Sequence, residues 1–329
     1  MPTSPPHIPV LLNEVLNGLA LDESKTVIDG TFGAGGYSRE MLKTGARVIA
    51  IDRDPNVISF ADEIKEEWGD KFTFILGNFS ELNILVNEKV DAIILDIGVS
   101  SMQLDEASRG FSFMRDGPLD MRMSETGKTA ADIVNNYDEK SLSDILFAYG
   151  EEKRAKRIAQ AIIKKRKEKF FSTTLELAKL IEETVGKGGS KNHPATKSFQ
   201  ALRIAVNEEF DELVKALFGA EQKLSEGGLL AIVSFHSLED RIVKRFFASN
   251  QNAVSRHIPQ SNVHQLASWQ NIGKAQKAGE KELTENPRAR SATLRIAKRT
   301  GVKARELSFS NLGVPLSKAG VTRGRGHKK

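Results

Sequence analysis

Asp29-Gly30-Thr31-Phe32-Gly33-Ala34-Gly35-Gly36 is the stretch that decides how this chain folds. It follows a short apolar run at 26–28. It precedes a segment, 38–44, that reads as a helix with Ser38 as its N-cap. Glycines between a strand and a helix let the backbone turn tightly and approach a ligand closely. Outward from this loop the alternation continues. Segment 47–51 reads as a strand closing at Asp52, 56–67 as a helix, and 72–76 as a strand with Asn78 and Phe79 just past it. Segment 80–87 reads as a short helix and 90–95 as a strand closing at Asp96. Strands apolar enough to be buried on both faces, joined by helices, predict an α/β fold with a mostly parallel sheet.

The next equally apolar strand is 229–234, after the Gly227-Gly228 turn. A strand-helix-strand crossover needs a few tens of residues, and about 130 lie between these strands. Most of that interval has helical periodicity: 130–137, 141–148, 151–170, 175–185 and a long stretch at 195–224. The reading is an all-helical domain inserted into the sheet domain. The expected boundaries are 1–110 and 217–310 for the sheet domain, 111–216 for the insertion, and 311–329 for a basic, flexible tail. Segment 238–248 reads as a helix and 291–299 as a last strand. The polar stretch 249–290 lacks periodicity and is expected to have little regular structure.

Three acids, Asp29, Asp52 and Asp96, close successive strands, and open parallel sheets bind ligands at that edge. A carboxylate at Asp52 can accept from both hydroxyls of a ribose, so an adenosine-containing ligand is expected. The dinucleotide pattern of three glycines is incomplete, because Ser38 stands at its third position. Asp29 would repel a pyrophosphate but suits the ammonium of a methionine moiety. S-adenosylmethionine is therefore favoured over a nicotinamide dinucleotide.

Composition narrows the chemistry further. With no Cys among 329 residues, disulfides, thiolate zinc sites, iron–sulfur clusters and cysteine nucleophiles are excluded. The six His are scattered and predict no metal site; His257 and His264 are not the helical pair that zinc favours. The N-terminus shows no secretory signal and no run is apolar enough to span a membrane, so a cytoplasmic address without membrane contact is expected. Lys plus Arg is 48 against 43 Asp plus Glu, a net +5. Two segments hold more than that excess: 151–170, with nine basic residues against three Glu, and 300–329, with seven against one. In the first, Ala155, Ile158, Ala159, Ile162 and Ile163 form an apolar arc opposite a basic face. Two basic regions point to a polyanionic partner, most simply nucleic acid.

Longer motifs then become specific. Leu95-Asp96-Ile97-Gly98-Val99-Ser100-Ser101, Gln103-Leu104-Asp105, Arg109-Gly110-Phe111-Ser112-Phe113 and Gly117-Pro118-Leu119-Asp120-Met121-Arg122-Met123 closely resemble the RsmH/MraW family. So do Tyr149-Gly150-Glu151-Glu152, His193-Pro194-Ala195-Thr196, Phe199-Gln200-Ala201-Leu202-Arg203-Ile204, Val206-Asn207, Ser234-Phe235-His236-Ser237-Leu238-Glu239-Asp240-Arg241 and Asn286-Pro287-Arg288. The resemblance spans nearly the whole chain. It implies a Rossmann-like, S-adenosylmethionine-dependent methyltransferase fold, a mostly parallel seven-stranded sheet with an inserted helical domain. It implies methylation of the N4 amine of a cytidine in the decoding region of 16S ribosomal RNA, in the small ribosomal subunit. It places cofactor contacts at Gly35, Gly36, Tyr37, Asp52, Phe79, Asp96 and Gln103, to which the loop reading adds Asp29 and Gly33. Tyr37 stands where many members carry His.

The exocyclic amine of cytosine is a poor nucleophile, because its lone pair is delocalised into the ring. Hydrogen-bond acceptors on the NH2 and in-line positioning are the remedies. Asp96 is the expected acceptor, with His236 orienting the base or receiving the proton. The turn Asp96-Ile97-Gly98-Val99 lacks the prolines and aromatic residue of many amine methyltransferases, so Phe235 or Phe113 is expected to stack on the base. Arg109 and Asn207 are assigned to the substrate, segment 109–123 to a lid, and the basic helix 151–169 with Lys197 and Arg203 to RNA. A methyltransferase for DNA amines or a small molecule, and a non-catalytic RNA-binding protein on the same fold, remain the alternatives. The oligomeric state stays open, a dimer included.

Overall fold

The computed structural model describes residues 9–124, 126–186, 193–248 and 267–315. They form two compact units, one of residues up to Gly98 together with Phe210–Val314, the other built on Val99–Glu209.

The first unit carries one sheet of seven strands: β1 (Thr26–Asp29), β2 (Arg47–Asp52), β3 (Phe72–Leu76), β4 (Val90–Asp96), β5 (Leu224–Ser234), β6 (Trp269–Asn271) and β7 (Thr293–Arg299). Their order is β3-β2-β1-β4-β5-β7-β6. The pairings from β3 through β5 are parallel, and β7 runs antiparallel to both β5 and β6. This is the Rossmann-like methyltransferase sheet. Val27, Ile28, Val48, Ile51, Ile93 and Ile94 are wholly buried, which requires cover on both faces. Helices α1 (Leu12–Leu19), α2 (Gly36–Lys43), α3 (Ile58–Trp68) and the short α4 (Leu82–Leu85) accompany the first strands. Chain order reverses between β1 and β4, where such sheets open a crevice at their carboxyl ends.

The second unit is all helical: α5 (Ser101–Asp105), α6 (Ala130–Asn136), α7 (Glu139–Gly150), α8 (Ala155–Lys165), α9 (Thr174–Val185) and α10 (Thr196–Asn207). Leu142, Ile145, Leu146, Ile158, Ile162, Leu177, Ile181 and Leu202 build its core. On α8, Ala155, Ile158, Ala159 and Ile162 face inward, so its Lys and Arg face solvent.

The structure departs from the sequence reading at several points. The units divide after Gly98 and after Glu209, not at 110/111 and 216/217. Val99 and Leu104 pack on the helical core, and α11 (Glu209–Lys223) buries Phe210, Leu213 and Leu217 within the sheet unit. The long periodic stretch at 195–224 breaks into α10 and α11 because Glu208 adopts a left-handed conformation, φ 51°. Within 249–290, β6 and α13 (Glu280–Glu285) are regular, and α12 (Ser237–Ala248) precedes them. An edge strand of three residues is too short to show a period. What fixes it is Trp269, 2% exposed, which donates from Nε1 to Glu221 at 3.0 Å. Residues 249–266, and the tail beyond 315, lie outside the described residues.

Segment 109–123 is a packed connector, not a lid. Leu119 and Met121 are buried, Leu119 N–H donates to Ser172 O, and Met121 N–H donates to Arg109 O. A Cβ on Gly110 would stand 2.0 Å from the carbonyl oxygen of Pro118, and φ there is +70°, so only glycine fits. Among the described residues no helix is long and apolar enough to cross a membrane.

Candidate active site

The loop after β1 fixes the site's floor. Gly35, at φ 78°, caps α2, which begins at Gly36. A Cβ on Gly35 would meet Ile64 Cδ1 at 2.5 Å and Phe32 Cε2 at 2.9 Å, so the position demands glycine twice over. Ser38 is therefore not the N-cap that the sequence suggested. It is buried in the first turn, and its hydroxyl donates to Asp29 Oδ2 at 2.7 Å. The first amides of α2, those of Gly36 and Tyr37, are ones a helix leaves without an internal acceptor.

The three strand-end acids have different surroundings. Asp29 is wholly buried; besides Ser38 it accepts the N–H of Thr31 at 3.3 Å. Burial pushes its carboxyl up to about 6, against the hydrogen bonds that lower it. Asp52 is half-buried and holds the loop: Oδ2 accepts the N–H of Gly33 at 2.7 Å and Oδ1 that of Asp54 at 2.9 Å. Burial raises it too. Asp96 is tied down by its backbone, whose N–H donates to Thr31 Oγ1 at 2.7 Å. Its Oδ1 is buried and has no hydrogen-bond partner among the described residues. Burial, then the charges of Asp29 and Glu239, hold this carboxyl well above the usual carboxylate range. Thr31, which joins the β1 loop to the end of β4, carries no motif signal and was missed in the sequence.

The remaining sheet-unit candidates gather along the same carboxyl edge. Half-buried Phe79 follows β3, its Cβ 3.4 Å from where a Gly30 Cβ would stand. Tyr37 is buried and its hydroxyl donates to the carbonyl of Val10, so the side chain pins the segment before α1. Burial raises this phenol well above its ordinary value. Phe235, straight after β5, brings its ring within 3.8 Å of a Cβ position on Gly98, beside the Asp96 turn.

His236 is the cap of the next helix. Its Nδ1 accepts the N–H of Glu239 at 3.4 Å, and Nε2 lies 3.0 Å from Glu239 Oε1 without the alignment of a hydrogen bond. Glu239, 2% exposed, returns the favour: Oε2 accepts the N–H of Phe235 at 2.9 Å and of His236 at 3.2 Å. This reciprocal arrangement is a capping box with His in place of Ser or Thr. The Glu three residues after His236 was its sequence signal, and the reading passed over it.

Four candidates lie in the helical unit, each engaged there. Gln103 closes a capping box on α5, its Oε1 accepting the N–H of Ser100 at 3.1 Å. Arg109 donates to the carbonyls of Arg122 and Met123, both at 3.1 Å. Phe113 packs against His193 and Phe199, with centroids 4.7 and 4.8 Å away. Asn207 is 3% exposed; Oδ1 accepts the N–H of Met123, and Nδ2 donates to the carbonyls of Met121 and Arg203. These contacts give Arg109, Phe113 and Asn207 work within the helical unit itself. All three hold the 109–123 connector or the helical core. Arg203 is likewise engaged, in a two-point ion pair with Glu209.

A nucleoside bearing a positive charge fits the sheet edge. The loop permits close approach, Asp52 keeps acceptor capacity beyond its amide bonds, and the orphaned Oδ1 of Asp96 calls for a donor or a cation. The MraW methylase family matches residues 4–300. The ribosomal RNA small subunit methyltransferase H of Chelativorans sp. (strain BNC1) is 51% identical over 313 residues, 94% of this chain and 92% of that protein. Its namesake in Caulobacter sp. (strain K31) is 54% identical over 305 residues, 91% of this chain and 94% of that protein. Among solved structures, an rRNA methylase from Streptococcus thermophilus is a remote likeness, with TM-score 0.41 and 11% identity over 89% of this chain and 99% of that one. On the strength of the family match and of relatives more than half identical along nearly their full length, the chain belongs to the MraW methylase family, methyltransferases that draw their methyl group from S-adenosylmethionine.

Proposed function

We propose that this chain methylates the exocyclic N4 amine of a cytidine in the decoding region of 16S ribosomal RNA, within the small ribosomal subunit, in the cytoplasm. The relatives named as small-subunit rRNA methyltransferases support the substrate class. The observation that carries the chemistry is the buried, unpartnered Oδ1 of Asp96 at the carboxyl edge of the sheet, beside Phe235.

When bound, S-adenosylmethionine supplies an electrophilic methyl carried on a sulfonium. The chain does the rest. The Gly33–Gly36 loop and the first amides of α2 admit the methionine end, with Asp29 fixing the loop from beneath. Asp52 accepts the ribose hydroxyls, and Phe79 packs beside the adenine. Gln103 is retained as a cofactor contact on the strength of the family alone. Phe235 stacks on the cytosine. Asp96 accepts an N4–H, which localises the amine lone pair toward the methyl. As the new N–C bond forms and the S–C bond breaks, the surplus proton passes from N4 to Asp96, whose raised proton affinity suits a base. His236 and Glu239 keep Phe235 in place. The outward Lys and Arg of α8 take RNA phosphates, which predicts a salt slope of roughly −0.7 per phosphate neutralised.

The test uses small subunits from a strain lacking this modification, incubated with the protein and a labelled methyl donor. Nucleoside mass spectrometry should find labelled N4-methylcytidine at one position. Label on another base or another atom would refute the reading.

A further inference from the structure

The strand directions decide where one neglected segment lies. β6 runs parallel to β5 and ends at Asn271; β7 runs antiparallel and starts at Thr293. The connection therefore runs beside β7 as far as Gln276 and, from there to Thr293, leaves and returns at the carboxyl edge, the edge that carries Asp96 and Phe235. The register makes this local, because Thr293 pairs with Ser234, the residue before Phe235. The Asn286-Pro287-Arg288 motif falls in this connection, and the proposed chemistry gives it no role.

The segment is built to hold cations outward in fixed positions. Pro287–Ser291 is a 3-10 turn, capped by Asn286, whose side chain accepts the N–H of Arg288 at 3.2 Å. Ala289 is wholly buried and anchors the turn, while Arg288 and Arg290 on either side of it are exposed. A third cation lies at the start of β7. Gln276 bridges to Leu294 by two backbone bonds of 2.9 Å, and the adjoining Lys277 donates to Thr293 Oγ1 at 2.5 Å. The acids nearby lie on α13. Glu282 accepts the N–H of Leu11 at 2.7 Å, and Glu280 and Glu285 stay exposed on the helix. A rigid turn with paired Arg beside a site for an unstacked base has the chemistry of a phosphate clamp.

We propose that Lys277, Arg288 and Arg290 form an RNA-phosphate-binding surface on the sheet unit, gripping the backbone next to the target nucleotide. This rests on the RNA reading above and adds to it a contact surface separate from α8. The experiment compares the wild type with Arg288→Gln/Arg290→Gln and with Arg288→Lys/Arg290→Lys. It measures KM for small subunits, cofactor affinity by calorimetry, melting temperature, and binding of a fluorescent single-stranded RNA from 50 to 300 mM salt. Loss of two phosphate contacts should raise KM about tenfold or more and flatten the salt slope by roughly 1.4. Cofactor affinity should not move, and the Lys pair should restore most of the binding. An unchanged KM and slope would overturn the proposal. So would a loss that the Lys pair fails to restore and that comes with a lower melting temperature, which marks a structural turn. Because oligonucleotide binding is read without turnover, a wrong methylation target is distinguishable from a wrong phosphate surface.

Discussion

Asn207 offers the sharpest test of the corrected site, because a structural clamp and a substrate ligand fail differently when removed. Its amide makes hydrogen bonds of 2.8 Å to Met123 N, 2.8 Å to Met121 O and 2.9 Å to Arg203 O. The Arg203 carbonyl is a helical acceptor and loses little. The groups on Met121 and Met123 belong to residues 0% and 8% exposed, so Asn207→Ala strands two buried backbone groups. Each costs about 1–3 kcal/mol, and water entering the void relieves part of that, so about 3 kcal/mol is expected in total. For a unit of this size that is a drop on the order of 10–20 °C in melting temperature. Differential scanning calorimetry reads it directly, with cofactor affinity measured at low temperature as the control for the sheet unit. The expected outcome is a large loss of stability with cofactor binding intact. If Asn207→Ala melts within a degree or two of the wild type and instead raises KM for subunits tenfold, the clamp is wrong and Asn207 is a substrate ligand after all.

Three further outcomes test the sheet edge. Asp96→Asn should lower kcat at least a hundredfold while the protein folds normally, and the wild-type kcat should rise with pH through a range above that of ordinary carboxylates; a rate independent of both would remove Asp96 from the chemistry. Gly35→Ala must accept a left-handed backbone, costing about 1–2 kcal/mol, and a Cβ at 2.5 Å from Ile64. Its cofactor affinity should fall tenfold or more by calorimetry. Asp29→Asn tests the buried acid: a carboxyl raised to about 6 in the fold favours the folded state below about pH 4, and that advantage is lost as pH rises through about 6. In urea titrations the variant should therefore gain on the wild type by about 3 kcal/mol between pH 4 and pH 7 and stay level above it; parallel curves would mean that Asp29 is not buried as described.

Local pattern made the sheet unit readable, and tertiary contact hid the rest. β1, β2 and β4 are apolar runs closed by an acid, and each closing acid reappears at the ligand edge. Ser38 misled because Ser is a good N-cap, whereas Asp29, nine residues earlier, claims its hydroxyl and a glycine caps α2 instead. The contacts of Arg109, Phe113 and Asn207 were hidden for a related reason. Their motifs were correctly seen as special, but a special residue can be one that holds a loop to a helix. All three do so through contacts 10–90 positions away in sequence, beyond the reach of any local period. The long helix at 195–224 looked continuous because Glu208 carries no breaker signal, yet it takes a left-handed φ.

The three acids explain why this edge selects a sulfonium and not a pyrophosphate. Packing carboxylates at the ends of adjacent strands raises the proton affinity of all three, chiefly by burial; Asp52 adds to the rise at Asp29, and Asp29 to that at Asp96. Asp29 and Asp52 accept hydrogen bonds that stabilise their charged forms and fix the loop. Asp96 has burial and its neighbours' repulsion, with an Oδ1 that finds no partner among the described residues. A dianionic pyrophosphate entering here would add like charge to a site already short of compensation. A cation relieves it, and an amine that donates a hydrogen bond to Asp96 relieves it again. In the proposed mechanism, the arrangement that raises these carboxyls is the same one that would draw donor and acceptor of the methyl group to a single carboxylate.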